Sequence, residues 1–176
     1  MLSLPVGEFD YFEVKGRRPL DLTLPGVKEA ELREMLGKQV SAFANAGGGQ
    51  LVLGLKNPSG PAASWEIDDG GISISGPKGN VREWLEDIVP RVVEHPLLSF
   101  NIYSILGREP ASQILPGRAV FVIDIGDSEN APHMCVSDQR YYLRTGGKSR
   151  PISHRIVMDI ANRRKHARFE VEFWIK

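Results

Sequence analysis

One cysteine, Cys135, stands among the 176 residues, so a single chain closes no disulfide and builds no multi-thiolate zinc or iron–sulfur site. Long apolar runs are scarce as well. No stretch approaches the ~18 apolar residues of a spanning helix, and Met1-Leu2-Ser3-Leu4-Pro5 has neither the basic start nor the apolar run of a signal peptide. These absences predict a cytoplasmic protein with no membrane partner. Internal repeats, low-complexity tracts and clear linkers are missing too. Net charge is zero, with 22 Lys and Arg against 22 Asp and Glu, and 41% apolar residues exclude the disordered and collagen-like classes. A chain of this length buries about 70% of its unfolded surface, enough for one core without staples. One domain over residues 1–176 is expected.

What is present is unevenly placed. From Arg140 to Arg168 nine basic residues face one acid, Asp159, a local sum of +8 that leaves −8 on the remainder. Such segregation can draw a polyanion to one face while the pI stays near neutral. A solvated helix surface is the competing reading of the same run.

Phe9–Val14 reads as an early strand ending in the basic turn Gly16-Arg17-Arg18-Pro19. Between Val27 and Ala46, Leu32, Met35, Leu36, Val40, Phe43 and Ala44 recur at spacings of three and four, an amphipathic helix stopped by Gly47-Gly48-Gly49. Leu51–Leu55 follows as a strand buried on both faces. Weak strands are predicted near Trp65–Ile67 and Ile72–Ile74. Asn80 and Glu83 form a capping box for a second helix carrying Val81, Trp84, Leu85, Ile88, Val89, Val92 and Val93, which Pro90 kinks or ends. Phe100–Leu106, Ala119–Ile125 and Arg140–Arg144 read as strands. Ser153 starts a last helix with Ile156, Val157, Ile160 and Ala161 inward, and Phe169–Trp174 alternates like a terminal strand. The fold class is mixed α+β, with a mixed sheet and about three helices.

Glu13-x-Lys15, then Ser41-Ala42-Phe43-Ala44-Asn45-Ala46-Gly47-Gly48-Gly49 closing a helix, then Leu51-Val52-Leu53-Gly54-Leu55, resembles the Schlafen AlbA_2 domain family. The later run Arg140-Tyr141-Tyr142-Leu143-Arg144-Thr145-Gly146-Gly147-Lys148-Ser149, followed by the Ser153 helix, is similar to that family's second signature. The resemblance spans roughly Glu8 to Arg164 and implies a nucleic-acid-binding module with a regulatory role such as transcription regulation. Schlafen cores join two related lobes into a clamp, and this chain has length for one lobe, so the resemblance also implies a homodimer. The glycine-rich turn, Asn45 with Gly47, Gly48 and Gly49, has two readings: a tight helix-to-strand reversal needing positive φ, or a nest of amides for a phosphate.

Phosphate contacts are expected from Arg17, Arg18, Arg144, Lys148, Arg150, Arg163 and Arg164, with DNA and RNA both open. Tyr141 and Tyr142 point to opposite faces of their strand, one to the core and the other toward a base. Schlafen ribonucleases place two glutamates five residues apart and a third carboxylate after the glycine-rich strand. Glu8 and Glu13 match that spacing, with Lys15 two residues on, but Lys56-Asn57 stands where the third acid belongs. Asp68 or Asp69 is a conceivable substitute. A metal-dependent ribonuclease using Glu8, Glu13 and Lys15 is therefore the alternative, and it alone calls for Mg²⁺ or Mn²⁺; otherwise no metal or cofactor is expected. Glu13 pairing with Lys15 or Arg17 on a solvated edge is the plainer reading. An ATPase is rejected: the Walker A spacing puts Tyr142 where glycine is required before Gly147-Lys148-Ser149, and Arg150-Pro151 follows instead of a helix. His133 and Cys135 supply only two ligands, short of a zinc site. A third reading is a protein-interaction module whose basic face meets an acidic partner.

Overall fold

The computed structural model describes residues 9–56, 65–108 and 112–163. Glu8, Arg164 and the run Phe169–Trp174 lie outside them. In chain order the elements are β1 (Phe12–Lys15), α1 (Glu29–Ala46), β2 (Gly49–Leu53), β3 (Leu55–Lys56), β4 (Glu66–Ile67), β5 (Ile72–Ser73), β6 (Ser75–Gly76), β7 (Gly79–Asn80) and α2 (Val81–Ile88). They continue with β8 (Val93–Glu94), β9 (Phe100–Leu106), β10 (Arg118–Ile125), β11 (Met134–Cys135), β12 (Arg140–Thr145), β13 (Lys148–Pro151) and α3 (His154–Asn162). Short 3₁₀ turns follow β4 and α2. This is a mixed α+β fold.

The main sheet is ordered by the apolar strands. β1 and β2 run parallel across the α1 crossover, and β10 lies antiparallel to β2. On its far edge β10 carries β9 in unbroken register from Ala119↔Leu106 to Ile125↔Phe100, while β5 continues the β2 side at Ala119↔Ile72. Along β10, Phe121, Ile123 and Ile125 enter the main core, and Val120 and Val122 belong to a smaller cluster on the other face with Phe12, Val52 and Leu55. The expected Leu51–Leu55 strand breaks at Gly54, whose φ of 100° turns Leu55 into the β3–β4 pair.

A second antiparallel sheet runs β13-β12-β11-β8. α1 packs against β2 and β10 of the main sheet and against β11, β12 and β13 of the second. This explains why Gln39 through Asn45 are buried without interruption, instead of showing one inward stripe. Asn80 caps α2 as expected, its side chain accepting from the amides of Arg82 and Glu83, and the α-helix ends at Ile88, ahead of Pro90. Trp84 is core.

α3 departs from expectation. Only Ile160 is buried, while Ile156 and Met158 are exposed. The helix meets the body through its last turn, where Ile160 and Arg163 adjoin the C-terminal end of α1, and Val157 and Ala161 are half-buried. Ser153 occupies the N-cap position in extended conformation, but its hydroxyl makes no cap hydrogen bond.

Candidate nucleic-acid interface

The pleat of β12 divides its residues into two sets. Tyr142 and Arg144 face α1 and are buried, whereas Tyr141 and Leu143 are half-buried on the opposite face. Arg144 is thus not part of the basic surface. Its side chain is 1% exposed, ion-paired with Glu13 (Nη1 to Oε2 2.7 Å), donates to the carbonyls of Phe9 and Phe12 at 2.8 and 2.9 Å, and stacks 4.9 Å from the Phe43 ring centroid. Arg144 Nε has no partner. Register explains the meeting: Glu13 lies opposite Leu51, on the face of the main sheet turned toward the core.

Glu13 is committed in turn. Its Oε1 holds Lys15 at 2.5 Å and its Oε2 holds Arg144, so both carboxylate oxygens already carry a cation. A hard divalent ion needs those oxygens free. Among the described residues no group of three His, Cys, Asp or Glu side chains could hold a metal, and Glu8, the partner expected for Glu13 in a ribonuclease site, lies outside those residues. Asp68 and Asp69 are engaged elsewhere: Asp68 Oδ2 accepts from the Arg17 amide at 2.7 Å, and Asp69 pairs with the Arg17 guanidinium at 2.6 Å. Arg17 also faces Asp21, so it points into an acidic loop and not outward.

The glycine-rich turn serves the fold. The amides of Gly47 and Gly48 both aim at the Phe43 carbonyl, Gly47 taking the left-handed cap conformation at φ 99°. A Cβ at Gly49 would lie 2.3 Å from the Phe43 ring. Asn45 is buried and clamps α1 to the second sheet: Nδ2 donates to the carbonyls of His133 and Tyr142, and Oδ1 accepts from the His133 amide at 2.7 Å. His133 is also enclosed, with Nδ1 2.6 Å from the His95 carbonyl and Nε2 2.6 Å from Ser128 Oγ.

Tyr142 and Asp138 form a second, partly buried link. Burial, reinforced by the hydrogen bond to the Asp138 carboxylate, pushes the Tyr142 phenol up to about 12. Burial works against ionised Asp138 as well, but the hydrogen bonds from Tyr142, Cys135 and the Arg140 amide, with the charge of Lys38, together hold that carboxyl below its usual value. Folding thus favours the protonated phenol. Its contribution is complete below the unfolded value near ~10 and is lost as pH rises toward about 12. Melting curves of the wild type are expected to fall through that window, and those of Tyr142→Phe to fall less; equal declines would contradict the link.

The remaining predicted bases among the described residues are exposed. Leu143↔Arg150 and Thr145↔Lys148 put Lys148 and Arg150 on the outer face of the β12–β13 hairpin, beside half-buried Tyr141 and Leu143. Gly146 and Gly147 make the hairpin turn, anchored by the Gly147 amide on Asp10, and Lys148 begins a strand where a P-loop would begin a helix. Arg163 is exposed at the end of α3, and Arg18 is exposed after β1, beyond the opposite end of the strand from Asp10. Arg140 and Arg155, counted in the basic run but not singled out by the spacing of motifs, are exposed too.

Besides Arg144, the bases Lys15, Arg17, Arg33, Lys38, Lys56, Lys78 and Arg82 are ion-paired, and these precede α2 or lie in it. Exposed Arg18, Arg140, Arg150, Arg155 and Arg163 have no acidic partner among the described residues.

A family model described as "Schlafen, AlbA_2" matches residues 24–153. No curated protein matches the chain. Among solved structures, the DIP2311 protein from Corynebacterium diphtheriae is similar in fold, with a TM-score of 0.52 at 16% identity over 88% of this chain. The match spans 24% of that protein's length.

Proposed function

The chain belongs to the Schlafen AlbA_2 family, and on that premise we propose that it is a non-catalytic nucleic-acid-binding module with a regulatory role. The outer face of the β12–β13 hairpin and the exposed side of α3 meet the phosphates through Lys148, Arg150, Arg155 and Arg163. Arg140 extends that surface, and Tyr141 offers a ring on which an unstacked base can lie. The observation that carries this reading is that Arg140, Arg150, Arg155 and Arg163 are exposed close together in sequence with no acidic partner among the described residues, whereas seven of the twelve described bases before them are ion-paired. Uncommitted arginine is free to replace counterions on a polyanion; arginine already in an ion pair must first give up its partner. Arg144 and Arg17 therefore take no part in the interface, and Arg18, at the far end of β1, forms a separate contact.

Fluorescence anisotropy with labelled single-stranded RNA, single-stranded DNA and duplexes tests this. Four phosphate contacts on duplex predict a loss of roughly 100-fold in affinity between about 50 and 200 mM salt. Absence of binding to every probe at low salt would refute the reading, and a salt-insensitive complex would point to a protein-type interface.

A further inference from the structure

β9 closes the main sheet on the side away from β1, and among the described residues its only strand partner is β10. A bare edge of this kind is normally defended by a charge, a proline or a bulge. Phe100-Asn101-Ile102-Tyr103-Ser104-Ile105-Leu106 has no charged residue and no proline, and its register with β10 is unbroken. Three of its large apolar side chains are open to solvent, Tyr103 at 53%, Ile105 at 39% and Leu106 at 58%. Tyr103 lies opposite Val122 and Ile105 opposite Val120, so the apolar outer face of the sheet runs out to this edge.

We propose that a second copy of this chain occupies the edge, β9 pairing antiparallel with β9 about a two-fold axis at Tyr103. That register sets Tyr103 against Tyr103, Asn101 against Ile105 and Phe100 against Leu106, with no like charges opposed. The flank of the edge argues for a copy over a foreign strand. A groove of about 280 Å³ runs beside β9, lined by Phe100–Tyr103 and by Arg82 and Glu86 of α2, which are ion-paired at 2.9 Å. A two-fold axis reverses α2 against its mate, the arrangement in which an Arg82–Glu86 pair complements itself. The basic hairpin is tied to β1, through Arg144 to Glu13 and Gly147 to Asp10, at the opposite side of the sheet. Both hairpin faces therefore stay open in the dimer, and the proposal stands or falls independently of nucleic-acid binding.

Sedimentation at micromolar concentration tests it on the full chain. The wild type is expected at twice 19.5 kDa, and Tyr103→Lys, a change at an exposed position, at the monomer mass with an unchanged melting temperature. Should that variant melt early, a cysteine scan decides, because native Cys135 is buried and unreactive. Under mild oxidation Tyr103→Cys, self-opposed across the axis, is expected to give a covalent dimer, and Asn101→Cys, opposed to Ile105, to remain uncrosslinked. A monomeric wild type, a Tyr103→Lys dimer that folds normally, or equal crosslinking of both cysteine variants would each overturn the proposal, the last two by showing association through another surface.

Discussion

Arg144→Ala is expected to lower the unfolding free energy by about 3–5 kcal/mol, a large share of the roughly 5–15 kcal/mol that holds a typical domain together. The residue looks like one more base in a basic segment, yet its guanidinium lies between Glu13, the carbonyls of Phe9 and Phe12, and the ring of Phe43. Alanine removes all of these and opens a cavity beside α1. For a chain of this size the melting temperature should fall by roughly 10 °C. Two further variants separate charge from bulk. In Arg144→Met the volume is kept and Glu13 retains Lys15, so the loss should be smaller. In Glu13→Ala the guanidinium stays buried with no carboxylate, and Nε is already unpartnered, so the loss should exceed that of Arg144→Met. Denaturant titration of the three variants checks the order. An Arg144→Ala protein as stable as wild type would show that the buried pair does not hold β12 to β1.

Reversing the hairpin surface should do the opposite, sparing the fold and removing binding. Lys148 and Arg150 are exposed on the outer face of β13, and Arg150 has no acidic partner to lose. Loss of two phosphate contacts alone weakens duplex binding by roughly 50-fold near about 0.1 M salt. Lys148→Glu with Arg150→Glu adds repulsion, so the double variant should fall further while melting within a degree or two of wild type. Binding that survives the double reversal would move the interface elsewhere, Arg18 and Arg163 being the next exposed bases.

The contrast between these two arginines marks where the sequence could be read and where it could not. Local periodicity places α1 within two residues of its observed start, and the alternation of Phe121, Ile123 and Ile125 with Val120 and Val122 identifies β10 and its two faces. Asn80 announces the cap of α2 because the capping bonds reach only two and three residues along the chain. Arg144 and Glu13, by contrast, are 131 residues apart in sequence, and nothing near either names the other. Asn45 beside three glycines reads as part of a turn, and its side-chain bonds to His133 and Tyr142, 88 and 97 residues away, have no local signal. The helical stripe of Ile156, Val157 and Ile160 is real, but a stripe says only that a face could be buried, and here only Ile160 is fully buried while Val157 is half-buried and Ile156 is exposed. The family signatures are legible as motifs. Whether each charged residue in them faces inward or outward depends on the register of β1 with β2 and of β12 with β13.

The most direct test is the slope of log affinity against log salt for the wild type, Arg150→Gln and Arg144→Met, measured on one oligonucleotide. Each phosphate contact contributes about −0.9 to that slope on duplex and about −0.7 on a single strand. Arg150→Gln is expected to make the slope shallower by about one contact, and Arg144→Met, destabilised but folded, to leave it unchanged. A shallower slope in Arg144→Met with none in Arg150→Gln would contradict the assignment of Arg144 to the core and of Arg150 to the interface.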